Sequence, residues 1–239
     1  MTKSFTASSM LALRDAGLFR LDDPVNDFVP ELRGYPGVTD DSPAISLRHL
    51  LTMTAGFPTD DPWGDRQQGT PLPDFAAILA RGVRSAWAPG TRFEYSNLGY
   101  AVLGRVISAA AQAEYPDFVR ARVLDPLGLS RTGFEAAEFD PDGLARGYAR
   151  GADGWTELTP DPLGAFAPMG GVFSCVRDLA RSIPFYEMLG FEKFDDNVFE
   201  QGAAVWDGLG LPEGRRFRAV FMKIPGDRPR PFLVVGEHF

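Results

Sequence analysis

The segment from Tyr95 to Ala111 constrains this chain most. Ser96 or Asn97 can cap a helix there, because a short polar side chain accepts from an otherwise unpartnered N–H of the first turn. Leu98, Val102, Val106 and Ile107 then fall on one face, and Ala109-Ala110-Ala111 continues it. A helix this apolar has to be buried by neighbours, so the rest of the chain is expected to pack around it.

The neighbours can be read in outline. A helix is expected over residues 4–14, with Phe5, Met10, Leu11 and Leu13 among its apolar residues and a stop at Gly17. Asp22-Asp23-Pro24 reads as a helix start, a capping carboxylate followed by proline. Ser46 is expected to cap a short helix over 47–53 that Gly56 and Pro58 end. Residues 57–73, rich in Pro, Gly, Asp and Gln, read as a long surface loop bordering a site. Further helices are expected over 75–81 and 116–124, and a hairpin over 143–160 around Gly151 and Gly154. After residue 181 the pattern changes to a helix over 182–189 and three strand-like runs, at 198–206, 216–224 and 231–235. This order makes the fold class α+β.

Composition narrows the function classes. Hydrophobic residues make up 44% of the 239, enough for a packed core, and the formal charge of −8 argues against nucleic acid or an anionic membrane as partner. The single cysteine, Cys175, excludes an internal disulfide and a Cys-rich zinc site, and reads as a small apolar residue. No apolar run reaches 18 residues and no leader pattern opens the chain, so the sequence as written reads as cytoplasmic; residues upstream of Met1 could include a signal peptide.

Three residues carry the chemistry. Tyr95-Ser96-Asn97 puts a phenol, a hydroxyl and an amide on one exposed turn after Trp87-Ala88-Pro89-Gly90-Thr91. A phenol beside a lysine ammonium is a plausible proton carrier, and the amide can orient a carbonyl. Alone the tripeptide reads rather as a helix cap with a packed ring. Met1-Thr2-Lys3 supplies the lysine. The histidines are His49, inside an expected helix and read as packing or capping, and His238 beside the last residue.

These segments are collinear with one family. Met1-Thr2-Lys3-Ser4-Phe5-Thr6, Ile45-Ser46-Leu47-Arg48-His49-Leu50-Leu51-Thr52-Met53-Thr54-Ala55-Gly56 and Pro89-Gly90-Thr91-Arg92-Phe93-Glu94-Tyr95-Ser96-Asn97-Leu98-Gly99-Tyr100 closely resemble serine β-lactamase-related hydrolases. That group includes class C β-lactamases, D-alanyl-D-alanine carboxypeptidases and esterases. Leu124-Asp125-Pro126-Leu127-Gly128-Leu129 and Met169-Gly170-Gly171-Val172-Phe173-Ser174 also look like family segments, so the resemblance covers residues 1–181. It implies the helical part of a β-lactamase/penicillin-binding-protein-like fold with its antiparallel sheet incomplete. It implies acyl transfer on an amide, lactam or ester through an acyl-enzyme, without a cofactor. Lys3 and Tyr95 would share the proton transfers, and Asn97 would position a small-molecule acyl substrate.

Two departures stand out. The family's serine lies three residues before the lysine, one position ahead of Met1 here. Position 190 is Gly and position 220 is Val, so neither Lys193 nor Lys223 restores a Ser-x-x-Lys. The late Lys-Thr-Gly or His-x-Gly motif is absent as well. The chain as written is therefore expected to be inactive, a hydrolase whose start falls at an internal methionine. Helices without their full sheet would expose apolar surface, so self-association is expected.

The tail, residues 182–239, resembles half of a glyoxalase/bleomycin-resistance (vicinal oxygen chelate) module. Asp178-Leu179-Ala180-Arg181-Ser182-Ile183-Pro184-Phe185-Tyr186-Glu187-Met188-Leu189-Gly190-Phe191 looks like its first helix, and residues 218–239 are similar to its closing strands. That resemblance implies a βαβββ-like segment opening with a strand near 171–176, and a fusion of two coding sequences at Val176-Arg177-Asp178-Leu179-Ala180-Arg181. Glu237 matches one metal ligand of that family, but one carboxylate does not hold a catalytic metal, so no metal is expected. Two alternatives stay open: a non-catalytic relative that binds ligands or partners, and a metal-dependent or binding protein carried by the tail.

Overall fold

The computed structural model describes residues 1–35, 37–60, 63–152, 154–188, 192–199, 217–223 and 233–238. The chain divides into two compact units, residues 1–123 with 133–173, and residues 124–132 with 174–239. Helices and small antiparallel sheets together make the α+β class that the sequence implies.

The first unit is built around two helices, α1 (Thr2–Asp15) and α4 (Asn97–Ala111). Leu98, Ala101, Val102, Leu103, Val106 and Ile107 of α4 are all buried, as its apolar stripe requires. Its C-cap Gln112 is left-handed, with φ of 53°. Helix α1 buries Phe5, Met10 and Leu13, but also Thr6, Ser8 and Ser9. The two serine hydroxyls donate to the carbonyls of Ser4 and Phe5, four residues back, so burial leaves no donor stranded. The helix ends as expected at Gly17, with φ of 77°. Gly17 N–H donates to the Arg14 carbonyl and Leu18 N–H to the Leu13 carbonyl, the paired bonds of a Schellman ending.

Around this pair stand α2 (Leu47–Leu51), α3 (Leu72–Ala80), α5 (Tyr115–Val119) and α6 (Ala167–Gly170). Phe166 joins the layers: Phe75 of α3 and Trp63 meet its ring edge-on, at 5.2 and 5.6 Å between centroids. A hairpin of β1 (Gly147–Gly151) and β2 (Gly154–Leu158) pairs Tyr148 with Glu157 and Arg150 with Trp155, with both strands exposed.

Several expectations need local correction. Asp22-Asp23-Pro24 does not start an α-helix; Pro24 is the N-cap of a single 3₁₀ turn, Val25–Asp27. The Asp23 carboxylate instead accepts from Arg20 N–H, and Asp22 pairs with Arg48. The helix over 116–124 is α only from Tyr115 to Val119. His49 is a cap: Ser46 Oγ accepts from His49 N–H, and His49 Nδ1 accepts from Ser46 N–H, both at 3.2 Å.

In the second unit the expected helix over 182–189 forms as α8 (Ile183–Met188), while the stretch from Asp178 that the resemblance made one helix is divided between α8 and a preceding α7 (Val176–Arg181). Pro184 at the second position of α8 lacks an N–H and cannot continue a helix from α7. The Asp178 side chain is buried and accepts from Arg131 N–H at 2.7 Å and Thr132 Oγ1–H at 3.0 Å, which ties α7 to residues 124–132. Three antiparallel strands follow in sequential order, β3 (Glu192–Phe199), β4 (Phe217–Lys223) and β5 (Leu233–His238). The first lies earlier than the expected 198–206, most of which falls outside the described residues, as do the turn clusters between the strands. No strand forms over 171–176; Phe173 makes only an isolated bridge to Gly133.

Helices α4 and α6 touch at Gly104. A Cβ there would lie 2.2 Å from Pro168 Cγ, so glycine sets the approach. Gly104→Ala is expected to lower stability by about 1–3 kcal/mol through overpacking. That exceeds the roughly 1 kcal/mol that alanine gains in helix propensity. A thermal melt that shows a stabilised variant would refute this packing.

Candidate active site

The three residues singled out for chemistry meet in the first unit, across 94 positions of sequence. Lys3, in the first turn of α1, donates through Nζ to Asn97 Oδ1 at 2.8 Å and to the Met169 carbonyl at 2.9 Å. Its ammonium also lies 5.0 Å from the centroid of the Tyr95 ring and 5.6 Å from that of Tyr100. Two carbonyl acceptors and two ring faces thus surround one ammonium.

Each partner is placed by local sequence. Ser96 is the N-cap of α4, accepting from Gly99 N–H at 3.1 Å, so Asn97 is the first helical residue and is 1% exposed. Tyr95 precedes the cap, with its ring partly exposed. Tyr100, one turn beyond Asn97, shares its face and is buried. Burial, and secondarily the charge of a nearby Tyr95 phenolate, pushes the Tyr100 phenol up to about 12. Its hydroxyl donates to the Leu51 carbonyl at 3.2 Å.

Residues 169–172 close the opposite side. Val172 N–H donates to Thr2 Oγ1 at 3.2 Å, which fixes that segment to the same turn of α1 that carries Lys3. One turn further on, Thr6 Oγ1 donates to the Pro168 carbonyl at 2.7 Å and shares a hydrogen bond with the buried Tyr115 hydroxyl. Between these elements lies a cleft of about 420 Å³, lined by Lys3, Tyr95, Asn97, Met169, Gly170 and Val172. A larger cavity of about 1000 Å³, beside α4 and α5 and mainly apolar, carries none of the three residues.

Sequence reasoning missed two contributors, and it read the 57–73 loop as bordering a site without naming the residue that enters. The Met169 carbonyl is an acceptor that no side-chain pattern reveals. Tyr100 is detectable only as the residue three positions after Asn97. The loop that opens near residue 57 enters through Gly64, where a Cβ would lie 2.7 Å from Asn97 Cβ. Glu237 stands on β5, in register with Arg218 of β4 in the second unit. Among the described residues no group of three or more His, Cys, Asp or Glu side chains is placed to hold a metal ion. Among the same residues no helix is long and apolar enough to cross a membrane.

Tyr100 gives this arrangement an alkaline signature. A phenol protonated more firmly in the folded chain stabilises it fully below pH 10, and the contribution is lost as pH rises toward about 12. Urea melts between pH 9 and 12 should therefore show stability falling less steeply for Tyr100→Phe than for the parent chain. Equal slopes would place the phenol in water.

Comparison with known proteins identifies the family. The family model described as Beta-lactamase matches residues 1–212. Beta-lactamase-like protein 2 of Dictyostelium discoideum is 32% identical over 192 residues, 78% of this chain and 34% of that protein. Penicillin-binding protein 4* of Bacillus subtilis is 29% identical over 171 residues, 68% of this chain and 36% of that protein. The chain thus spans about a third of the length of these curated relatives. In fold it is similar to the penicillin-binding protein from Bacillus halodurans, with a TM-score of 0.64 at 24% identity, covering 98% of this chain and 77% of that one. The family match takes in Lys3, Tyr95 and Asn97 together, and the chain belongs to the beta-lactamase family of hydrolases.

Proposed function

We propose that the cleft is the lysine–tyrosine–asparagine part of an acyl-transfer site that hydrolyses an amide, lactam or ester. The observation that carries this reading is the Lys3 ammonium, held between Asn97 Oδ1 and the Met169 carbonyl and against the Tyr95 ring. A serine hydroxyl attacks the carbonyl of a small acyl substrate, and its proton passes to the Tyr95 phenolate, whose charge the neighbouring lysine stabilises. The same proton is then delivered to the leaving group, and water repeats the sequence to release the acid. Asn97 orients the substrate carbonyl, with Lys3 holding its amide.

In the family pattern the serine stands three residues before the lysine, which on a helix places the two side chains on one face. The 239 residues as written carry Lys3, Tyr95 and Asn97 without that hydroxyl, and we propose that they do not acylate. A fluorescent penicillin and p-nitrophenyl butyrate test this directly. The chain as written should show no covalent labelling and no turnover above buffer. A form extended by serine and the preceding strand sequence of its own locus should label at that serine. In that form Lys3→Ala and Tyr95→Phe should each cut labelling by at least about 100-fold. Labelling of the chain as written, or an unlabelled extended form that folds normally, would refute the assignment.

For residues 182–239 the helix followed by three antiparallel strands suits a glyoxalase-like half module as well as a hydrolase sheet. The family match to residue 212 favours the hydrolase reading. Phe93 at 62% and Trp155 at 70% exposure support association between copies.

A further inference from the structure

We infer that Asp60 is a positioning residue for the site: its carboxylate sets the backbone of Asn97, and through Asn97 the place of the Lys3 ammonium. The observation is an unusual division of labour at the start of α4. Ser96, the local cap, serves only the Gly99 N–H. The two preceding amides are served from 37 and 38 residues away. Asn97 N–H donates to Asp60 Oδ1 at 2.8 Å and Leu98 N–H to Asp60 Oδ2 at 2.6 Å, with Ser96 Oγ 3.4 Å from the same Oδ2. A carboxylate facing the positive end of a fifteen-residue helix is also favoured by the helix dipole.

The rest of the turn completes the clamp. Gly64 N–H donates to the Asp60 carbonyl at 2.7 Å, which brings Gly64 against the Asn97 side chain where a Cβ has no room. On the other side of Tyr95, Thr59 Oγ1 donates to Glu94 Oε1 at 2.6 Å. Thr59, Asp60 and Gly64 therefore hold the stretch 94–98 before and after the tyrosine, and hold Asn97 by both its amide and its side chain. Asn97 in turn accepts from Lys3, so a shift of the helix start moves the lysine's acceptor. The functional meaning of this clamp rests on the acyl-transfer reading; the clamp itself does not.

Lysine NMR separates the two. With only Lys3, Lys193 and Lys223 in the chain, ¹⁵N-lysine labelling gives three side-chain signals, and Lys3→Arg assigns the first. Asn97→Ala is the reference for a lysine that has lost this acceptor. Asp60→Ala should displace the Lys3 signal in the same direction, and Asp60→Asn, which keeps one acceptor oxygen, should fall between. Ser96→Ala removes a cap from the same helix without touching the Asn97 amide, and should leave the Lys3 signal in place. An Asp60→Ala signal at the parent position overturns the inference, as does a Ser96→Ala shift of equal size, which would reduce Asp60 to a general helix cap. Should Asp60→Ala not fold, Asp60→Asn and Ser96→Ala carry the same decision. In the serine-extended form, Asp60→Ala should lower the acylation rate constant by about 10- to 100-fold with little change in substrate affinity. An extended form inactive even with Asp60 present refutes the acyl-transfer reading and leaves the NMR result to judge the clamp.

Discussion

A single ammonium holds this site together. Lys3 has its partners at positions 95, 97, 100 and 169, so one charge joins the first turn of α1, the start of α4 and α6. Its acceptors are an amide oxygen and a main-chain carbonyl, neither of which can neutralise it by proton exchange. Dipoles and ring faces thus surround the charge, and the charge stabilises a negative group that develops beside it. That is the electrostatic demand of a reaction in which a phenolate or an oxyanion develops.

The surrounding scaffold serves to keep those three segments in place. Buried hydroxyls do much of it. Thr2 holds Val172, and Thr6 reaches the Pro168 carbonyl and the Tyr115 hydroxyl, so α1 is bonded to residues 168–172 on both sides of the Met169 carbonyl. Apolar burial on α4 supplies the bulk of the packing, while these few polar contacts determine register.

How much of this can be read from sequence varies with the kind of interaction. The helix of residues 97–111, its Ser96 cap and the Gly17 stop are local events, and their side chains announce them. The pairing of Lys3 with Asn97 is visible only because both stand in recognisable segments of one family. The Met169 carbonyl and the Asp60 carboxylate have no such signature, since a main-chain acceptor carries no residue identity and Asp60 lies in a loop without periodicity. Asp22-Asp23-Pro24 misleads because Asp22 finds Arg48 by tertiary packing and Asp23 takes the nearby Arg20 amide, leaving no cap to make. The split at Pro184 is an example of a local rule that the amphipathic pattern around it conceals.

The capping box of α2 has a consequence that reaches the tyrosine. His49 Nδ1 can accept from Ser46 N–H only while it carries no proton, and burial holds the imidazole below its ordinary pKa. The chain just after α2 holds the segment that leads to Tyr95, because the Thr54 carbonyl accepts from Gly90 N–H and the Met53 carbonyl from Glu94 N–H. An imidazole that stays neutral in the fold contributes stability above the ordinary histidine range and withdraws it as acid is added. Acidification thus weakens the tyrosine's seat through a ring that does not line the cleft.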